Sequence, residues 1–315
     1  MKKILITGAG GFAGTYLIKE LQKSKDFEIY GAVYKSTSDI SSLLDSAHIL
    51  EGDLTDFSVA EHIVKVASPH VIYHLAAISV VHSSARQTTT VMNSNTTISY
   101  NILESVRQFA PHARFIAISS GNVYGAVQDT TLSIDESTPI RPLNPYAISK
   151  VTQEMLALQY YLAYGLDVVI LRPFNHTGPG QTTDFVIPRL ADQFARIEHG
   201  EIDPVIEVGN LDTIRDFTDV SDMVIAYTLA TKDGKSGEIY NIGSGTGHSI
   251  HQILMIMQSL SKTKVEVKIN QTLIRTADVP ILICDASKFQ EVTGWKPTIS
   301  FDTTISAIID YWRRI

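Results

Sequence analysis

The most constraining stretch of the chain is its start. Ile4-Leu5-Ile6-Thr7 runs directly into Gly8-Ala9-Gly10-Gly11-Phe12-Ala13-Gly14. An apolar run of this length reads as a buried strand, and an amphipathic pattern from Phe12 to about Lys23 reads as a helix. The three glycines at 8, 11 and 14 then fall in the tight turn between them. Such a turn needs glycine for three reasons: a sharp reversal, close approach of the backbone to a phosphate, and close packing of helix on strand. The helix that follows presents free N–H groups and the positive end of its dipole to that phosphate. Between a strand and a helix, this spacing predicts a dinucleotide-binding unit, with Gly8, Gly11, Phe12 and Gly14 at the pyrophosphate.

The rest of the first half repeats the alternation. Strands are expected at 28–34, 47–51, 70–75, 114–118 and 166–171, with helices at 57–66, 89–109 and from Pro145 to about Tyr164. Five such βα units in a row predict an α/β fold, a doubly wound parallel-sheet Rossmann domain. It would span residues 1–172, with 219–244 returning to it. A smaller α/β substrate-binding domain would comprise 173–218 and 245–315. Asp53-Leu54, after the third strand, stand where the adenine of a dinucleotide would lie, although Asp53 also suits a helix N-cap after Thr55. Ala76 and Ala77, after the fourth strand, are small enough for a flat ligand to approach the backbone. His74, within that strand, reads as a packed structural residue. The second strand ends at Val33-Tyr34-Lys35-Ser36 with no acid to take a ribose 2′-hydroxyl. That leans towards a 2′-phosphate held by Lys35, hence NADP(H), with NAD(H) second.

A chemical constellation sits on this frame. Tyr146 and Lys150 are one helical turn apart and share a face. A cation beside a phenol favours the phenolate, so the pair predicts a tyrosine with lowered pKa, usable as a proton donor near neutrality. Ser119-Ser120 end the fifth strand, and Ser120 can hydrogen-bond a substrate oxygen. Arg215 and Arg275, in the second half, suit a diphosphate because an arginine fork matches phosphate oxygens. Each residue alone has an ordinary explanation: a helix-surface pair, a turn serine, a surface ion pair.

Composition excludes other classes. The 315 residues are 44% hydrophobic and 19% charged, with net charge −7. There is no basic run for nucleic acid. No apolar stretch is long enough for a membrane span, and the start is too short for a secretory leader. Cys284 stands alone, so no internal disulfide is expected, and a reducing cytoplasm fits. No metal-ligand set is expected.

With these residues in hand, the chain resembles the extended short-chain dehydrogenases/reductases over essentially its whole length. The resemblance rests on Gly8/Gly11/Gly14, Asp53-Leu54, His74-Leu75-Ala76-Ala77, Ser119-Ser120, Tyr146/Lys150 and Arg172-Pro173-Phe174-Asn175. Asn175-His176-Thr177-Gly178-Pro179-Gly180-Gln181, Val208-Gly209-Asn210-Leu211 and Arg215-Asp216-Phe217-Thr218-Asp219-Val220 are narrower. They are similar to the enzymes of GDP-deoxyhexose synthesis, most of all the 4-keto-6-deoxyhexose reductases. The resemblance implies Tyr146 as acid/base, Lys150 as its activator and a ribose ligand, and Ser120 as second hydrogen-bond donor. It implies Asn175, Arg215 and Arg275 at the substrate diphosphate, and a homodimer. Asn122 stands in the Ser-rich turn, among the substrate contacts, near where dehydratases carry a glutamate. An amide can neither take nor give the protons that elimination requires. Tyr34 stands where such reductases tend to carry arginine. The expected activity is reduction of the C4 ketone of a GDP-linked 4-keto-6-deoxyhexose. A 4-epimerase, a dehydratase and a non-catalytic NADPH sensor follow in that order.

Overall fold

A computed structural model describes residues 1–34, 40–79, 88–127, 133–274 and 279–315. Lys35 and Arg275 lie outside the described residues, as does Asp129, an acid on the loop after the Ser-rich turn.

The chain opens with β1 (Lys2–Thr7), the glycine turn and α1 (Phe12–Leu21). Then come β2 (Phe27–Val33), β3 (Ile49–Glu51), α2 (Phe57–Ala67), β4 (Val71–His74), α3 (Thr88–Phe109) and β5 (Arg114–Ile118). Next are α4 (Pro145–Tyr164) and β6 (Val168–Pro173). A short β7 (Asn175–Thr177) leads to α5 (Val186–Glu198), β8 (Val205–Val208), β9 (Ile214–Asp219) and α6 (Val220–Asp233). The remainder holds β10 (Ile239–Ile242), β11 (Gly247–Ser249), α7 (Ile250–Leu260), β12 (Glu266–Ile269), β13 (Ile281–Leu282), α8 (Ser287–Thr293) and α9 (Phe301–Trp312).

Seven parallel strands form the main sheet in the order β10-β6-β5-β4-β1-β2-β3. Strand order reverses at β1, which pairs with β2 on one side and β4 on the other. In open α/β sheets the ligand crevice lies outside the carboxyl ends of the strands at this switch point. The strands are apolar on both faces because helices cover both. Ile4 and Ile6 face one core, with Leu17, Ile18, Met223 and Tyr227 of α1 and α6. Leu5 faces the other, with Ile63 of α2, Ile102 of α3 and Ala157 of α4. A third core joins α5, α7 and α9 through Leu190, Phe194, Ile253, Leu254, Ile305 and Ile309. Beside it lie the small sheet β11-β9-β13, with β7 on β9, and the pair β12-β8.

Residues 220–242 come back to the main sheet. Helix α6 packs on α1, and β10 pairs with β6 in register Ile239↔Ile170 to Ile242↔Pro173.

Candidate active site

Helix α4 carries the Tyr-Lys pair, and local signals fix where it starts. The Asn144 side chain accepts from Ala147 N at 2.8 Å, and Pro145 occupies the first turn. Both are favoured helix-start devices. Gly165, at φ +69°, closes the far end. Tyr146 and Lys150 both point inward and are 8% and 3% exposed. The ammonium lies 5.9 Å from the centre of the phenol ring. It donates to Ile118 O at 2.7 Å and to Gln153 Oε1 at 2.8 Å.

Burial, not the neighbouring cation, sets the proton affinities. Desolvation pushes the Tyr146 phenol up to about 12, against a downward pull from its hydrogen bond with Ser120. Desolvation takes Lys150 down to about 7, opposed by the carboxylate of Glu154. This corrects the expectation of a lowered tyrosine pKa. Tyr146 therefore keeps its proton near neutrality, and Lys150 is the group whose proton is labile there. Ser120 is the third member. Its Oγ accepts from Asn122 N at 3.2 Å in a 3-10 turn over Gly121–Val123.

These three side chains line a cleft of about 1460 Å³ that runs along the carboxyl ends of the strands. Single small-molecule sites are usually about 300–1,000 Å³, so this cleft has room for two ligands in line. Gly8, Gly11, Phe12, Gly14, Asp53, Leu54, Ala76, Ala77, Asn122, Asn175 and Arg215 all line it. A dinucleotide fits these residues. Among the described residues no side chain caps the N-terminus of α1 at Gly11, and Gly11, Phe12 and Ala13 line the cleft. A Cβ on Gly14 would stand 2.6 Å from Gly8 O, and one on Gly8 2.9 Å from the Ala76 backbone. Gly8 also has φ +71°.

The outcome for individual residues is mixed. Asp53 does not cap α2; Asp56 does, accepting from Ser58 N at 2.8 Å. Asp53 Oδ1 instead accepts from Thr55 N at 2.9 Å and Thr55 Oγ1 at 2.7 Å, closing its own turn at the cleft. His74 is structural, as expected. It is fully buried between Thr7 Oγ1 at 2.8 Å and Ser99 Oγ at 3.2 Å, and burial takes its pKa down to about 3. Arg215 Nη1 donates to the Ile214 carbonyl at 2.8 Å while its side chain borders the cleft.

Several positioning residues escaped the reading of the sequence. Asn95 clamps Ile78 through both backbone groups, at 2.8 and 3.2 Å, and donates to Ser149 Oγ at 2.9 Å. Ser149 in turn donates to Tyr146 O at 2.7 Å. Asn101 donates to the Leu54 and Thr55 carbonyls at 2.9 and 3.0 Å, holding the loop of Asp53. The available signal was asparagine, a poor helix former, on the inward face of a long helix. Behind Ser119-Ser120, Glu154 takes two bonds from Arg172 and one from Ser119. Arg189, at the start of α5, also borders the cleft.

Among the described residues no helix is long and apolar enough to cross a membrane.

The parallel sheet, its glycine turn and the Ser-Tyr-Lys cluster at the strand ends define a short-chain dehydrogenase/reductase. Residues 5–308 match the family model described as GDP-mannose 4,6 dehydratase, and the chain belongs to that family. It is 34% identical over 244 residues to the GDP-6-deoxy-D-mannose reductase of Pseudomonas aeruginosa, covering 78% of this chain and 80% of that one. It is 33% identical over 294 residues to the GDP-6-deoxy-D-talose 4-dehydrogenase of Aggregatibacter actinomycetemcomitans, covering 93% and 91%. Its fold is similar to the structure of RMD from Pseudomonas aeruginosa complexed with NADPH, with TM-score 0.88, 30% identity and coverage of 100% and 99%.

Proposed function

We propose that this protein reduces the C4 ketone of a nucleoside-diphosphate 4-keto-6-deoxyhexose, with GDP-4-keto-6-deoxy-D-mannose as substrate and GDP-D-rhamnose or its C4 epimer as product. The observation that carries this over dehydration is the chemistry of the turn beside Tyr146. It offers Asn122 to the cleft, and the carboxylates among the described lining residues are Asp53, Asp184 and Glu207, none of them in that turn. Asp135, an acid on the loop that follows this turn, is not among the lining residues. Its Oδ1 is committed to the backbone N–H and hydroxyl groups of Ser137 and Thr138, which hold its pKa low. Elimination of water needs a group that takes the C5 proton and gives one to the leaving hydroxyl. Reduction needs one proton donor only.

NADP(H) is the favoured cofactor, with NAD(H) second, because β2 ends at Val33 and Tyr34 without an acid. The glycine turn and α1 would hold the pyrophosphate, and Asp53-Leu54 the adenine. Bound NADPH supplies the hydride that C4 receives. Tyr146 carries the proton for the C4 oxygen and is fully protonated at neutral pH. Ser120 and Lys150 stabilise the charge that develops there, as preorganised donors in a dry site. Asn175 and Arg215, with Arg275 outside the described residues, would bind the diphosphate.

Purified protein given NADPH and the 4-keto-6-deoxy sugar nucleotide should consume NADPH. Given NADP⁺ and GDP-mannose, it should form no 4-keto-6-deoxy sugar. Product from GDP-mannose would move the assignment to a dehydratase.

A further inference from the structure

Two tyrosines reach this cleft from opposite faces of the main sheet. Tyr146 comes from α4, on the face with α2 and α3. Tyr227 comes from α6, which packs on α1 and across β5 and β6 on the other face. Tyr227 is fully buried, yet it lines the cleft. Its hydroxyl has no hydrogen-bond partner among the described residues. Burial and the nearby Tyr146 phenol both push its pKa upward, so the group is a neutral donor. A buried hydroxyl without a partner is destabilising, and phenylalanine would fill the same space without that cost. Two other buried tyrosines on this face are satisfied: Tyr73 OH accepts from Thr231 Oγ1 at 2.7 Å, and Tyr124 OH donates to Asn241 Oδ1 at 2.7 Å.

We propose that Tyr227 is a cofactor-contacting residue, its hydroxyl donating to the carboxamide oxygen of a bound nicotinamide. The placement selects this group. Helix α6 crosses β5 and β6, whose ends carry Ser120 and Phe174, whereas Asp53 and Tyr34 stand beyond β1 at the far end of the cleft. Tyr227 therefore serves the end where Ser120 and Tyr146 meet, which is where a nicotinamide must lie for chemistry at those residues. It rises from the α1 side, and α1 follows the glycine turn. The carboxamide is the polar substituent of that ring and offers an oxygen acceptor. The inference rests on the reading of this cleft as a dinucleotide site.

Tyr227→Phe removes only the hydroxyl, and binding is measured by calorimetry with two probes. NADPH should bind the variant about tenfold more weakly, a difference of about 1.4 kcal/mol. The fragment 2′-phospho-ADP-ribose, which has no nicotinamide, should bind both proteins equally. Without ligand, the variant should melt at or above the wild-type Tm, because it loses an unpartnered polar group. An NADPH Kd within twofold of wild type overturns the inference, as does a ligand-free Tm well below wild type. Wild-type protein that binds neither NADPH nor NADH overturns the dinucleotide reading as well. In a second arm that needs no variant, wild type is compared on NADPH and an analogue bearing hydrogen in place of the carboxamide. Equal Kd values overturn the inference, and at least tenfold weaker binding of the analogue supports it.

Discussion

Arg172 grips Glu154 with two parallel bonds, Nε to Oε1 at 2.9 Å and Nη2 to Oε2 at 2.7 Å, and both side chains are sealed from water at 3% and 0% exposure. The pair lies directly behind the site. Ser119 donates to the same carboxylate, Arg172 continues to Tyr124 OH at 2.9 Å, and Tyr124 reaches Asn241 of β10. One network thus ties α4, β5, β6 and β10 together beneath Ser120 and Lys150.

Breaking this pair should be costly, since removing one partner of a buried ion pair strands the other charge. Glu154→Gln should lower unfolding stability by about 3–5 kcal/mol. Urea titration at neutral pH checks this. A loss below about 1 kcal/mol would mean that Arg172 finds full compensation elsewhere.

Tyr146→Phe should leave NADPH binding intact and cut turnover of the keto sugar by about 10²–10⁴-fold, the usual contribution of a general acid. A variant that keeps more than about half the wild-type kcat would remove Tyr146 from the acid role.

Lys150 should leave a signature in stability against pH. Its folded pKa of about 7 lies below the ordinary value of 10.5. Between those two values the unfolded chain binds more protons than the native one, so stability rises with pH across that window. The contribution is complete above about 10.5 and lost as pH falls through about 7. Lys150→Met removes the group, so its stability relative to wild type should be highest near pH 7 and decline towards pH 10. Urea titrations at each pH test this. A difference that stays flat over that range would show an ordinary proton affinity for Lys150.

Features encoded by neighbouring residues were legible. Pro145 and Gly165 mark the ends of α4 in the sequence itself, and the structure places them there. The glycine turn and the first six main-sheet strands are legible as a Gly-rich stretch and a series of apolar runs. The small sheet beside the third core was not legible. Ile214-Arg215-Asp216-Phe217-Thr218-Asp219 mixes charged and apolar residues, because Asp216 is buried to bind the Ser244, Gly245 and Cys284 backbone. The sequence also misled on Tyr146. Spacing puts a lysine near it, but only the fold reveals that burial outweighs that charge. Tyr227 looks like any core aromatic of a helix, and its unpartnered hydroxyl exists only in three dimensions.

The return of residues 220–242 to the main sheet bears on how the protein is made. Until Ile242 has left the ribosome, β6 remains an edge strand with open backbone groups, and α1 lacks the helix that covers Leu17 and Ile18. Exposed edges and apolar faces of this kind invite wrong partners. The main sheet therefore cannot close behind the growing chain as an independent early unit. It must wait, part-formed, while the intervening residues 174–219 are synthesised, and it is completed only when 220–242 follow them.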